Sequence, residues 1–455
     1  MTIDVLPDNV LVEIFFYVNV GGNWLRGPWH ALVHVCRRWR CLVFASPRRL
    51  NLRLEYDGHR PVSNVLETWP VLPLILVLHR PPYSDDDPKR WDNMVAALES
   101  EHHNRIGGIF IQVWNNSCWE RFAAATQKPF PALTYLKLSV YHNVASSLPD
   151  SFLGGSAPRL RELGLRGIPF PSIPELLVSA NGLVTLTLDN IPNTGYFSPD
   201  AMATALTVMT RLESLKLRFD YPQPRLDPAS RPLSLPTRFV LPALTRLTFK
   251  GAYGYLEDLL IPIGAPLLRY LFIKIFTDHN FDIPQLHRLI GHAEEFKTTL
   301  DLADVSMSND SIVLGLYPKT PVVGHHTTLR LEISDHWELS SLVQVCSSLP
   351  PIATVERLSI EGPFLHEGDD MENAQWLEVL NRFTALKSLH LTDQNAQCIC
   401  GVLGELSGER ATEVLPALRN LVVSGFESLQ PVEETMKSFV TARKLSGHPM
   451  VIDYW

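Results

Sequence analysis

Residues able to bind metal, exchange electrons or act as nucleophiles are few and scattered in this chain of 455 residues. Its six cysteines are Cys36, Cys41, Cys118, Cys346, Cys398 and Cys400. Zinc binding and dithiol exchange need ligand pairs at short fixed spacings. Cys398-Ile399-Cys400 is instead a C-x-C, whose two side chains leave a helix on different faces. His102-His103 and His325-His326 are adjacent pairs with no second pair at zinc spacing. Two acidic runs, "SDDDPKRWD" (Ser84 to Asp92) and "EGDDMEN" (Glu367 to Asn373), lack the alternating oxygen ligands and closing glutamate of an EF-hand. They read as solvated turns and helix starts. The phosphate loop G-x-x-x-x-G-K, the dinucleotide fingerprint G-x-G-x-x-G, H-E-x-x-H and the nucleophile elbow G-x-S-x-G are all absent from the sequence. No catalytic residue, metal site or cofactor is expected, and the chain is not expected to be an enzyme.

One stretch still concentrates reactive side chains: "ALVHVCRRWRCLVF", Ala31 to Phe44. Cysteines and arginines around a tryptophan suit nucleic-acid contact, redox or metal chemistry, or a docking helix. Leu32, Val35, Cys36, Trp39 and Val43 recur at helical spacing and form one apolar face. That pattern favours docking. The first fifty residues carry six arginines against three acids, an excess that suits an acidic protein partner.

Charge and composition narrow the classes further. The net charge is −8, from 40 Lys plus Arg against 48 Asp plus Glu, which argues against binding nucleic acid through the overall field. An apolar fraction of 45% with 19% charged residues is that of a folded globular chain. The sequence begins Met1-Thr2-Ile3-Asp4 with no signal-peptide pattern, and its apolar runs fall short of the roughly 18 residues of a membrane span. An intracellular protein, cytoplasmic or nuclear and not membrane-bound, is the expectation, which makes the N-x-S matches at Asn115 and Asn309 unmodified.

The elements that must position any site come from a repeated pattern of Leu, two residues, Leu, one residue, then an apolar residue. It occurs as "LTYLKL" at Leu133, "LRELGL" at Leu160, "LVTLTL" at Leu183, "LESLKL" at Leu212, "LTRLTF" at Leu244 and "LRYLFI" at Leu268. It returns as "VERLSI" at Val355, "LKSLHL" at Leu386 and "LRNLVV" at Leu418, with degenerate copies ending at Leu302 and Ile333. Alternation within each copy predicts a short strand buried on one face. Helices are predicted between copies at Asp200 to Thr210, Leu339 to Leu349 and Asn373 to Phe383. Weaker strand runs precede them at Leu50 to Leu54, Leu72 to Leu78 and Gly108 to Val113. A short period of this kind is the signature of leucine-rich repeats. The expected fold class is α/β: a small all-α module over 1–48, then a curved solenoid over 49–455 with irregular repeats of about 23–32 residues. A last helix and terminal strand over 431–455 would cap it.

The first residues do not follow the repeat. "LPDNVLVEIFFYV", Leu6 to Val18, places Pro7 and Asp8 at a helix start, where a missing N–H costs nothing and a negative charge suits the dipole. Val10, Leu11, Ile14, Phe15 and Val18 then make one apolar stripe. Pro28 is placed to start the helix that carries Trp39.

Here the sequence resembles a known family. "LPDNVLVEIFFYV" followed by "LVHVCRRWRCLV" is similar to the F-box motif, with its Leu-Pro, apolar helix and later Val-Cys-Arg/Lys-x-Trp, and an F-box before irregular repeats is similar to many fungal F-box proteins. The linker "NVGGNWLRGPW" is longer and richer in glycine than is usual there. The resemblance implies an SCF-type (Skp–cullin–F-box) E3 ubiquitin ligase subunit, in which the F-box docks a Skp-family adaptor bound to a cullin–RING scaffold and the repeats select the target. Carried over by position, adaptor contacts would be Leu6, Pro7, Val10, Leu11, Ile14, Phe15, Leu32, Val35, Cys36 and Trp39. The alternative is an interaction scaffold that does not direct ubiquitination.

A target would meet the strand residues that alternate with the buried leucines. In the early copies these include Lys137, Arg166, Lys216, Arg218, Arg246, Lys250 and Lys274 against Glu162 and Asp189; later copies mix Asp301, Glu332 and Glu361 with Arg330 and Arg357. A basic middle in an acidic chain suits an acidic or phosphorylated protein segment; strand charges solvated without a ligand are the other reading. The proline-rich stretch Tyr221 to Phe239 reads as an extended surface loop.

Overall fold

The computed structural model describes residues 5–20, 29–68, 72–78, 88–140, 147–169, 175–220, 238–276, 282–298, 300–319, 328–334, 338–362, 370–406, 410–424 and 430–454. Most of the linker after the first helix, His325-His326 and all but the last two residues of the proline-rich stretch lie outside them, as do the beginnings of both acidic runs. Contacts divide the chain into two compact units, Met1–Leu186 and Thr187–Trp455.

The first unit opens with α1 (Asp8–Val20), α2 (Trp29–Val33) and α3 (Arg37–Ala45). It continues with β1 (Leu54–Tyr56), α4 (Val62–Thr68), β2 (Leu74–Leu78), α5 (Pro88–Glu99), β3 (Ile106–Val113), α6 (Asn116–Ala125), β4 (Tyr135–Val140), β5 (Glu162–Arg166) and α7 (Glu175–Ser179). Strands β1 to β5 pair in chain order and all in parallel. Parallel neighbours need a crossover, and helices such as α5 and α6 supply it. Asn115, one of the two N-x-S residues, caps α6 through its side-chain oxygen, which accepts the Cys118 N–H at 2.8 Å.

Strand β6 (Thr185–Ile191) spans the unit boundary. The second unit continues with α8 (Pro199–Leu206), β7 (Ser214–Phe219), β8 (Phe239–Val240), β9 (Arg246–Ala252), α9 (Tyr253–Leu260), β10 (Ile263–Gly264), β11 (Tyr270–Phe276), α10 (Pro284–His292) and α11 (Glu294–Thr298). Then come β12 (Leu302–Met307), β13 (Ser311–Tyr317), β14 (Thr328–Ser334), α12 (Leu339–Ser348), β15 (Arg357–Glu361) and α13 (Asp370–Asn381). The chain closes with β16 (Ser388–Thr392), α14 (Asp393–Gly404), α15 (Arg410–Glu413), β17 (Asn420–Ser424), α16 (Gln430–Leu445) and β18 (Val451–Tyr454).

Each of the nine clear Leu-x-x-Leu copies produces a strand that begins two residues after the copy does, from Tyr135 after Leu133 to Asn420 after Leu418. The apolar positions go inward: Leu215, Leu217 and Phe219 of β7, Leu247 and Phe249 of β9, and Leu271, Ile273 and Ile275 of β11 are all buried. Helix α9 lies against β9, its Tyr255 packing on the rings of Phe219 and Phe249, and α14 lies against β15 to β17.

The curved leucine-rich-repeat solenoid is not what the chain forms. The described residues make a mixed α/β protein with a sixteen-stranded, mostly parallel sheet and sixteen helices. A uniform repeat stack would set each strand parallel beside its predecessor. Here the order runs β11-β14-β13-β12-β15, with β13 antiparallel to both neighbours, and β8 and β10 form a separate two-stranded sheet. The cause is local. Ser308 and Ser311 close a hairpin around Asn309-Asp310, the Ser308 N–H donating to the Ser311 carbonyl at 2.9 Å, and Met307 pairs with Ile312. The two degenerate copies are therefore β14 and the start of β12, in reversed spatial order.

Candidate docking and recognition surfaces

Two surfaces collect the residues that the sequence marks for binding, one on α1 to α3 and one on the polar side of the sheet. In the first, Arg38 ties the ends together. Its Nη2 donates to the Leu6 carbonyl and to Asp8 Oδ1, each at 2.6 Å, and its Nε reaches the same Asp8 oxygen at 3.0 Å. The Phe15 and Trp39 rings meet with centroids 4.7 Å apart. Trp29 is buried and its indole N–H donates to the Arg53 carbonyl at 3.1 Å, fixing α2 to the chain before β1. Glu13 pairs with Arg49.

The single docking helix expected across Ala31 to Phe44 is two helices. The chain breaks after Val33, and Cys36 becomes the N-cap of α3, its Sγ accepting the Trp39 N–H at 3.5 Å. Arg40 Nε donates to the Val33 carbonyl at 2.9 Å across the break. Cys36 thus supplies a sulfur acceptor to an otherwise unsatisfied helix-start donor.

The ten residues carried over from the F-box resemblance divide into three groups. Leu11, Phe15 and Leu32 are buried, while Leu6, Cys36 and Trp39 are half-buried. Pro7, Val10, Ile14 and Val35 are exposed, Val35 to 59%. Val5, Phe16, Tyr17 and Val18 are exposed as well, none of them carried over as a contact. Among the described residues, seven of the twelve exposed large hydrophobics lie before residue 36, which concentrates unburied apolar surface on this small module. The available signal was the run Ile14-Phe15-Phe16-Tyr17: a helix apolar all round needs cover on both faces.

On the polar side of the sheet the cations are largely compensated. In the first unit, Lys137 pairs with Glu162 at 3.1 Å and its ammonium lies 5.8 Å from the Phe110 ring centre; Arg166 is exposed at the end of β5. In the second unit, Asp189 is only 8% exposed and takes Lys216 at 2.8 Å and Arg218 at 3.5 Å. Lys274 donates to Glu332 at 2.5 Å. Arg246 sits 4.8 Å over the Tyr270 ring and Lys250 5.2 Å over Phe276. Register places Lys250 between Arg218 and Lys274. Burial, then the charge of Arg218, holds the Lys250 ammonium below its ordinary pKa. Arg330 lies over Phe272 at 5.8 Å.

A further cluster escaped sequence reading because it depends on the hairpin. Gly315 of β13 stands between Asp304 of β12 and Arg330 of β14 in register. The Tyr317 hydroxyl donates to the Asp304 carboxylate, and burial raises the Asp304 pKa against that bond and the Arg330 charge. A Cβ on Gly315 would lie 2.3 Å from the Tyr317 oxygen and 2.4 Å from Asp304 Oδ1.

The cysteines are all free thiols. Burial pushes those of Cys346 and Cys400 up to about 12, which keeps them protonated and poor nucleophiles at neutral pH. Among the described residues, no group of three His, Cys, Asp or Glu side chains could hold a metal ion, and no helix is long and apolar enough to cross a membrane. In comparison with known proteins, no family model and no curated protein matches the chain.

Proposed function

We propose that this chain is the substrate-recognition subunit of an SCF-type ubiquitin ligase. The helices α1 to α3 take a Skp-family adaptor, and the polar side of the sheet takes the protein to be modified. Ligase chemistry belongs to other subunits in this reading. The observation that carries it is the double-sided α1: Leu11 and Phe15 are fully buried, while Val10, Ile14 and Val18 on the outer side are 37%, 36% and 44% exposed. Such a surface is costly in water and stabilising when covered, by about 25 cal/mol for each Å² buried. The sequence around it matches the Leu-Pro and Val-Cys-Arg-x-Trp elements of the F-box.

The test is a pull-down with the full chain carrying Val10→Asp and Ile14→Asp together, both at exposed positions that leave the inner packing alone. Loss of adaptor and cullin from the folded variant is the expected result. Undiminished adaptor binding overturns the docking assignment. Wild-type chain that brings down adaptor without cullin supports the non-degradative scaffold instead.

A further inference from the structure

The second unit holds a cleft between the small β8–β10 sheet and α10. Its volume is about 340 Å³, at the small end of the range for ligand pockets. Phe239, Val240, Ile263, Ala265 and Leu289 give it apolar walls. Among the described residues, the chargeable side chains lining it are Arg238, Arg288 and His292, all of the cationic type, with no acid beside them in the lining.

Arg288 is held in place before any ligand arrives. Its Nη2 donates to the Leu260 carbonyl at 2.5 Å and the Ile261 carbonyl at 2.9 Å. Both acceptors are neutral, so they orient the guanidinium without cancelling its charge. Burial and the charge of Arg238 lower its pKa, while Glu257 acts the other way. Glu257 is committed elsewhere, its two oxygens accepting the Gln285 and Leu286 N–H groups.

We infer that this cleft binds a small apolar molecule carrying one carboxylate, with the anion at Arg238 and Arg288 and the apolar body against Ile263 and Leu289. Apolar walls with convergent cations fit that chemistry on two counts. The body is desolvated, and the carboxylate forms charge-assisted bonds with a guanidinium that is already positioned. The inference does not depend on adaptor docking.

Calorimetric titration of the full chain at neutral pH tests it, with octanoate and cyclohexanecarboxylate as probes and octanol and cyclohexanemethanol as uncharged counterparts. An apolar peptide with a free C-terminal carboxylate is the third arm. Saturable binding of the acids is expected, about tenfold or more weaker for the alcohols and for Arg238→Gln. Binding is expected to disappear in Val240→Trp, a change at a position 56% exposed that fills the cleft from outside. Failure of both acids to bind wild type, equal affinity for acids and alcohols, binding of the peptide alone, or affinity unchanged in both variants would overturn the assignment.

Discussion

The carboxylate of Glu257, on α9, accepts the backbone N–H of Leu286, on α10, at 3.0 Å, and its other oxygen takes the Gln285 N–H at 2.7 Å. Both donors belong to the first turn of α10, which has no side-chain cap of its own. Burial outweighs these bonds and pushes the Glu257 pKa from 4.5 up to about 7. A folded-state pKa above the unfolded one means that folding favours the protonated form. The contribution is full below about pH 4.5 and is lost as pH rises through about 7. Relative to Glu257→Gln, wild type should lose stability on the order of 1–3 kcal/mol between those limits. Urea denaturation at several pH values measures it.

Arg443 is fully buried on α16 and donates to the carbonyls of Ala411 at 2.9 Å and Leu418 at 3.1 Å. Its guanidinium also stacks 5.6 Å from the Phe439 ring centre. Arg443→Met leaves buried carbonyls without donors, each costing about 1–3 kcal/mol. The expected result is a fall in the denaturation midpoint that Arg443→Lys does not restore, because a single ammonium cannot span the carbonyls that a planar fork reaches.

Asp189 decides which sheet cations are open to mutation. Lys216→Glu sets a second carboxylate beside a nearly buried one and should destabilise the fold by roughly 3 kcal/mol or more. Lys250→Glu removes a cation whose neighbours in register are Arg218 and Lys274, and the chain should remain folded. Binding experiments on the sheet face should therefore use the Lys250 variant, with the melting temperatures of both variants as the check.

The cap on α3 makes an independent prediction. Cys36→Ala removes the acceptor facing the Trp39 N–H and should cost about 1 kcal/mol, whereas Cys36→Ser keeps an acceptor at the preferred N-cap type and should equal or exceed wild type. Proteolytic stability of the α1–α3 region in the full chain separates the two.

Gly362 follows β15 with φ of +108°, and a Cβ there would fall 2.0 Å from the Met307 carbonyl oxygen of β12. Gly362→Ala should separate these strand ends and lower the melting temperature by several degrees, a larger loss than at Gly254, where nothing lies within 4 Å of the added carbon.

The strands were legible because alternation has a strict period. Leu136 and Leu138 fall inward on β4 as Leu389 and Leu391 do on β16, whatever connects them. The arrangement of those strands was not legible, because "SIVLGLY" in β13 carries no Leu-x-x-Leu copy and the turn at Asn309-Asp310 had been read only as a sugar-acceptor match. Within the site, residue types were visible and exposure was not. Leu11 and Ile14 look equivalent in the sequence, yet one is fully buried and the other is on the surface. Likewise, Asp189 and Glu332 are legible in the sequence as acids on the same face as the basic band, but their pairing with Lys216 and Lys274 across strands is not.

The inverted run β14-β13-β12 imposes a timetable on synthesis. Strand β12 pairs with β13 on one side and with β15 on the other, and β15 begins fifty residues after β12 ends, at Arg357 against Met307. The hairpin can close within microseconds of leaving the ribosome, whereas its outer edge waits seconds for β15 to be made. For that interval the nascent chain carries an open strand edge with buried-type residues Ala303, Val305 and Met307 on one face, an edge that must be kept from pairing elsewhere until β15 is made.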